Sequence, residues 1–425
     1  MNITLPSLPA GWSRTRVDRV ATVNARIGWK ALTAAEYQSD GYAFLSTPNI
    51  KGRDIDFSNV NYISEFRYEE SPELRLKPGD VLLAKDGNTL GIVNIVRNLP
   101  RPATVNGSIA VIRPTGINPS YLRHVLASRV TQETINMLKG GMGVPHLFQW
   151  DINRLPIPLP PEEEQHRIAD FLDAETGRVE RMISLQHRIA RLLEEREAAQ
   201  LDIAIDEQSA RSGVLPLRRF LWGVDQGTSP QCDAVPAGED EWGVLKVSCL
   251  RPGEFLAHEN KRLPTSEPPI RRSEVHEGDL LITRANTPQL VGSTAVVPKV
   301  RGKLLLPDKI FRVRLRNGLD PEYVATVARG TRIRSLCSAT ANGASQSMAN
   351  IRFDEVKAWP IPVADLSEQR DFAEKIACSR EQVNALRSTI TRQIDLLAER
   401  RQALITAAVT GQIDVSTASG RGIEE

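Results

Sequence analysis

The feature that most constrains this chain is an internal repeat at a spacing of about 200 residues. Self-similarity on that scale implies two copies of one architecture rather than one continuous core. Gly79-Asp80-Val81-Leu82-Leu83 recurs as Gly278-Asp279-Leu280-Leu281-Ile282, and each run is followed by a cation, Lys85 or Arg284. Pro119-Ser120-Tyr121 recurs as Pro321-Glu322-Tyr323. Earlier in each copy, Tyr42, Leu45 and Ile50 match Trp242, Leu245 and Leu250 in apolar patterns that read as strands. Pro156-Ile157-Pro158 matches Pro360-Ile361-Pro362, and Glu164-Gln165 matches Glu368-Gln369. Beyond that point the copies align without a gap, Leu192-Leu193 on Leu396-Leu397 and Glu195-Arg196 on Glu399-Arg400. A chain of 425 residues also exceeds what one ordinary core supports.

Each copy reads as a mixed strand-and-helix globule followed by a long helix, an α+β architecture. Prolines at 156, 158, 160 and 161 prevent helix before Glu162, and Pro161 suits a first helical position. In the second copy Asp365 and Glu368 have the spacing of a capping box. The second helix carries Ile376, Val383, Ile390, Leu397 and Leu404 at seven-residue intervals, supplemented by Leu386 and Ile394. The first is looser, with Ile168, Phe171, Leu172, Val179, Met182, Leu185, Ile189, Leu192 and Leu193. The expected organisation is a globule over 1–160, a long helix over 161–211, a second globule over 212–364, and a second long helix with tail over 365–425. Chain order favours antiparallel pairing of the two helices within one molecule, since the first leads into globule two and the second can return. Oligomerisation between separate copies of the chain is the competing arrangement.

Hydrophobic residues at 41% and charged residues at 25% give the balance of a soluble globular protein. Residues 1–25 lack the basic-then-apolar pattern of a secretory signal, so a cytoplasmic location is expected. Cys232, Cys249, Cys337 and Cys378 are far apart and support neither a zinc finger nor a disulfide framework. The net charge is only +2, but it is unevenly spread. Segments 1–160 and 212–364 carry a modest excess of Lys and Arg, whereas Glu162 to Glu207 is acidic.

Leu8-Pro9-Ala10-Gly11-Trp12, KPGDVLLAKDG, GGMGVPHLFQWDINRLPIPLPPEEEQHRIADFL and the later ANIRFDEVKAWPIPVADLSEQ together resemble the specificity subunit of type I restriction-modification systems. The resemblance covers nearly the whole chain, and the order of two variable globules, each closed by Ile-Pro, Glu-Gln and a long helix, is its most specific part. It implies two target recognition domains, each reading one half of a bipartite, asymmetric DNA sequence, with the paired helices setting the gap. It further implies two modification subunits that use S-adenosylmethionine and restriction subunits that use ATP and magnesium, with no cofactor in this chain. The sequence itself has no Gly-x-x-x-x-Gly-Lys loop, no Asn/Asp-Pro-Pro-Tyr segment and no metal-ligand cluster, so catalysis by this chain is not expected. A coiled-coil scaffold or a self-sufficient DNA enzyme are the alternatives.

A DNA reader needs cations for phosphates and polar groups for base edges. The turn containing Lys85, Asp86, Asn88 and Thr89 and the turn containing Arg284, Asn286 and Thr287 lie at equivalent positions after a strand and supply both. Solvated turns would carry the same residues. A second pair of segments, Lys139 to Gly143 and Ala341 to Gln346, brings Lys139, Gly141, Asn342, Ser345 and Gln346. Glycine there would permit close backbone approach, and Gln346 matches the donor-acceptor pattern of adenine. His146 follows the first of these loops as a further contact. Arg271-Arg272, Arg301 with Lys303, and Arg312 with Arg314 are additional phosphate candidates.

Overall fold

A computed structural model of the chain describes residues 7–25, 32–140, 144–340, 342–345 and 348–415, with only the backbone described at 340 and 342–345. The described residues form two compact units, Met1–Arg188 with Ile390–Glu425, and Ile189–Thr389. Each unit therefore contains a globule and part of both long helices, Glu162–Ser212 and Leu366–Val409.

In the first unit the strand Val81–Ala84 is buried on both faces, as its unbroken apolar run requires. Val81 and Leu83 face a cluster with Tyr121, Leu122, Val125 and Ile168, and Leu82 and Ala84 face a second cluster with Leu45, Ile50 and Val105. This strand lies in a four-stranded sheet, ordered Ala21–Asn24, Ile109–Pro114, Val81–Ala84, Val93–Ile95, in which every pairing is antiparallel. Tyr42–Leu45 sits between Asn61–Ile63, antiparallel, and Ala103–Val105, parallel. The second unit uses the same pairing scheme. Its four-stranded sheet runs Leu221–Gln226, Ile310–Leu315, Leu280–Thr283, Thr294–Val296, and Gly243–Leu245 lies between Asn260–Arg262 and Leu304–Leu305. Ile50 departs from the strand reading and ends the 3-10 turn Thr47–Ile50.

The repeated motifs have structural causes. Gly79 and Gly278 sit at φ of +91° and +85°, which glycine adopts without a Cβ penalty. The following Asp80 accepts two hydrogen bonds from Arg113, at 2.7 and 2.8 Å, and one from the Lys77 amide. Asp279 does the same work with Arg312 at 3.2 Å and the His276 amide at 2.9 Å. Arg312 is consequently buried and also pairs with Asp225, which corrects its reading as an exposed phosphate contact.

The Ile-Pro and Glu-Gln motifs fasten each globule to its helix. Buried Tyr121 and Tyr323 donate their hydroxyls to the carbonyls of Pro158 and Pro362. Buried Gln165 accepts from the Asn118 amide at 2.8 Å and donates to Pro160 O, and Gln369 accepts from the Asp320 amide at 2.7 Å and donates to Ala364 O. The first long helix starts at Glu162, with the Pro161 carbonyl already accepting from Gln165, so Pro161 stands one position before the expected one. Asp365 and Glu368 form the reciprocal capping box.

Along the second helix Ile376, Val383, Ile390, Leu397 and Leu404 are buried or half-buried, but Leu386 is exposed. Met182, Leu185, Ile189 and Leu192 are exposed on the first helix, contrary to the expected seam. The shielded positions there are Val179, Ile183, Gln186, Ala190, Leu193 and Glu197. In the first unit Arg401 ion-pairs with Glu180, and in the second Arg387 ion-pairs with Glu194, as antiparallel neighbours would.

Candidate nucleic-acid interface

The two sequence segments singled out in each globule come together on one backbone scaffold. In the first unit the chain leaves the strand Val81–Ala84 through Lys85, whose amide donates to Ser108 O at 2.8 Å. Asp86 then pairs across with His146, which pairs on its other side with Gly140 through amide-carbonyl bonds of 2.9 Å in each direction. The Leu147 amide donates to Lys85 O at 2.9 Å, locking the arrangement. Gly140 thus belongs to a small ladder.

The second unit builds the same ladder from different residues. The Arg284 amide donates to Lys309 O at 2.8 Å. Ala285 pairs with Asn350, and Asn350 pairs on its other side with Asn342, within a three-stranded sheet of Ala285–Asn286, Met348–Asn350 and Asn342–Ser345. The Ile351 amide donates to Arg284 O at 2.9 Å, matching Leu147 and Lys85. Backbone geometry is shared, and the side chains it carries are not.

The proposed cations occupy different environments. Lys85 is buried, with its ammonium 3.0 Å from the Asp86 carboxylate, so it serves as an internal counter-ion and is not the exposed phosphate contact its position suggested. The other carboxylate oxygen of Asp86 contacts His146 Nδ1. That contact orients the imidazole and assigns the Nδ1 proton to the bond with Asp86, leaving Nε2 for an outside partner. The His146 side chain is 32% exposed, and its ring packs edge-on against Phe148 at 4.5 Å. Lys139 is exposed and donates to Asn136. Asn88 is exposed, while Thr89 donates to Asp86 O.

Arg284 is half-buried and reaches Asp308 O at 3.4 Å. Asn286 accepts from the Thr287 amide at 2.8 Å, a local turn bond, and Thr287 itself is exposed. Asn342 and Ser345 lie in the outer strand of the ladder, whereas Gly141 and Gln346 fall outside the described residues. Among the described residues no group of His, Cys, Asp and Glu could hold a metal ion, and no helix is long and apolar enough to cross a membrane.

Sequence reasoning passed over Phe148, Ala285, Asn350 and Arg352, which flank or complete the two ladders. Phe148 is 50% exposed and packs against His146. The signal was available: the gap-free alignment from the Pro-Ile-Pro motifs places His146 on Asn350 and Phe148 on Arg352.

Residues 9–193 match the family model described as the type I restriction modification DNA specificity domain. The chain is 24% identical to the type I restriction enzyme EcoKI specificity subunit of Escherichia coli strain K12, over 96% of this chain and 90% of that one. It is 36% identical to the EcoEI specificity subunit of Escherichia coli over 33% of this chain and 24% of that one. A chain in a solved structure described as showing complex assembly and conformational transition of the type I R-M system superposes with a TM-score of 0.63 at 18% identity, covering 96% of this chain and 100% of that chain. Residues 9–193 thus match a type I restriction modification DNA specificity domain, and over 96% of its length the chain is similar to a type I restriction enzyme specificity subunit.

Proposed function

We propose that the chain reads a bipartite, asymmetric sequence in double-stranded DNA, one half per globule, and catalyses nothing itself. The observation that carries this reading is the ladder built twice on one backbone plan with different side chains. A protein that must recognise two unlike half-sites needs a constant frame and variable reading groups. The long helices, of 51 and 44 residues, set the unspecified gap between the halves. Two modification subunits using S-adenosylmethionine, and restriction subunits using ATP and magnesium, carry out the chemistry where the chain directs them. The work is cytoplasmic, where the DNA is.

The test is to map methylated adenines across the genome of a host with and without this chain. A bipartite motif should vanish with the chain and return on complementation. Methylation by the purified chain without partners would replace this reading with that of a self-sufficient enzyme, and a methylome unaltered by its loss would discard it.

A further inference from the structure

The two ladders match residue for residue. Asp86 opposite His146 in the first unit corresponds to Ala285 opposite Asn350 in the second, and each central residue also pairs with the third strand, at Gly140 or Asn342. Conserved main-chain hydrogen bonds from Leu147 to Lys85 and from Ile351 to Arg284 fix both at the same height relative to the sheet. Yet the chemistry at this cross-strand position differs completely. One unit presents an imidazole held by a carboxylate, and the other a half-exposed amide beside a methyl group.

Core positions of the repeat show the opposite behaviour. Tyr121 and Tyr323, and Gln165 and Gln369, keep both identity and bonding partners, while Asp80 and Asp279 keep their identity and each bonds an arginine, from positions two residues apart on the neighbouring strand. Divergence at a partly exposed position on a shared backbone frame is what discrimination between two ligands of one class requires. The flanking positions diverge in the same sense, since exposed Phe148 in the first unit stands where the second carries Arg352, itself exposed and bonded to Glu355. An exposed aromatic ring is suited to stack on a base or meet a thymine methyl group, and a guanidinium is suited to the acceptors of guanine.

We propose that His146 and Asn350 are the specificity-determining residues at this level of the two globules, each reading one base pair of its own half-site. Asp86 acts as the positioning residue for His146. Asn350 offers the donor and acceptor that match adenine in the major groove. His146, with Nδ1 held by Asp86, offers a single group at Nε2, so the two globules ask different questions of DNA from the same place. This inference rests on the DNA-reading function proposed above.

The experiment exchanges the two residues in the full chain, co-expressed with its modification subunits, as His146→Asn and Asn350→His. Neither exchange removes a partner from buried Lys85. The readout is selection of duplexes by the purified complex from a library randomised around the methylated motif. His146→Asn should lower discrimination at one base pair of one half by about 5- to 100-fold, and Asn350→His should do so at one base pair of the other half. Asp86→Asn should reproduce the His146 effect at the same base pair in weaker form. Changes in both halves from one substitution, or unchanged discrimination in both variants, would overturn the inference. So would uniform weakening across all sequences with a salt slope smaller by about one, the behaviour of a phosphate contact. If the unsubstituted complex selects no motif at all, the DNA-reading function fails instead.

Discussion

His124 shows how one buried side chain links the first globule to its helix. It is fully buried on the helix Pro119–Ala127, and its Nε2 lies 2.8 Å from Asp173 on the first long helix, which also accepts from Ser120 at 2.7 Å. Burial pushes the imidazole pKa below its ordinary value, more than Asp173 restores it. Burial alone would raise the pKa of Asp173, but the bonds from His124 and Ser120 and the charge of Arg97 hold it well below the usual carboxylate range. Arg123 and Arg97 are the other charges near this pair. Both shifts are depressions, so both groups contribute stability that is complete above their unfolded pKa values and is lost as pH falls. For His124 the loss begins below about pH 6.5. Denaturant titration should therefore show the stability of the first unit dropping as pH falls below about 6.5, and His124→Gln should flatten that limb. An equal slope in the variant would assign the effect elsewhere.

At the scale of elements, the helices are where sequence was both most and least legible. Their starts could be read to within a residue because proline and a capping box act locally. The seam of the first helix was misread because apolar content favoured Met182, Leu185, Ile189 and Leu192, which are exposed. The shielded face instead includes Gln186, small Ala190 and Glu197, the last bonded to Arg329, and no periodicity count rewards such residues. Likewise Lys85 looked like a surface cation because its buried partnership with Asp86 depends on a tertiary turn that spacing does not reveal. Repeat matching, by contrast, picked out segments that flank both ladders, since it compares two solutions to one structural problem, but it left the central residue Asn350 unnamed. The ion pair Glu194–Arg387 marks level positions on the two helices. Inserting one heptad after Leu193 and one after Arg387 keeps the seam continuous and lengthens both helices by about 10 Å. The methylated motif should keep both half-sequences while its gap grows by roughly three base pairs, and the accompanying rotation of about 100° should lower the extent of methylation. An active variant methylating at the original gap would dismiss the helices as the spacer.

For the molecule as a whole, the first unit is discontinuous in sequence. Ile405, Ala408, Val409 and Val415 are buried in the same core as Val81, Tyr121 and Leu172. Thr406 accepts from the Arg129 amide at 3.0 Å, and Gln402 donates to Ala127 O at 2.9 Å. A chain ending at Thr389 should thus keep a protected second unit while amides of 1–188 lose protection in hydrogen exchange. Retained protection across Val81–Ala84 would contradict the dependence. The same arrangement sets an order of events during synthesis. The globule translated first lacks part of its core until residues 405–415 leave the ribosome, whereas Ile189–Thr389 is already complete. At roughly 5 to 20 residues per second, that intervening stretch takes about 10 to 40 s to make. For that interval the nascent chain carries an unfinished first globule while the second is already closed, so synthesis that stops at Thr389 releases one folded unit without its counterpart.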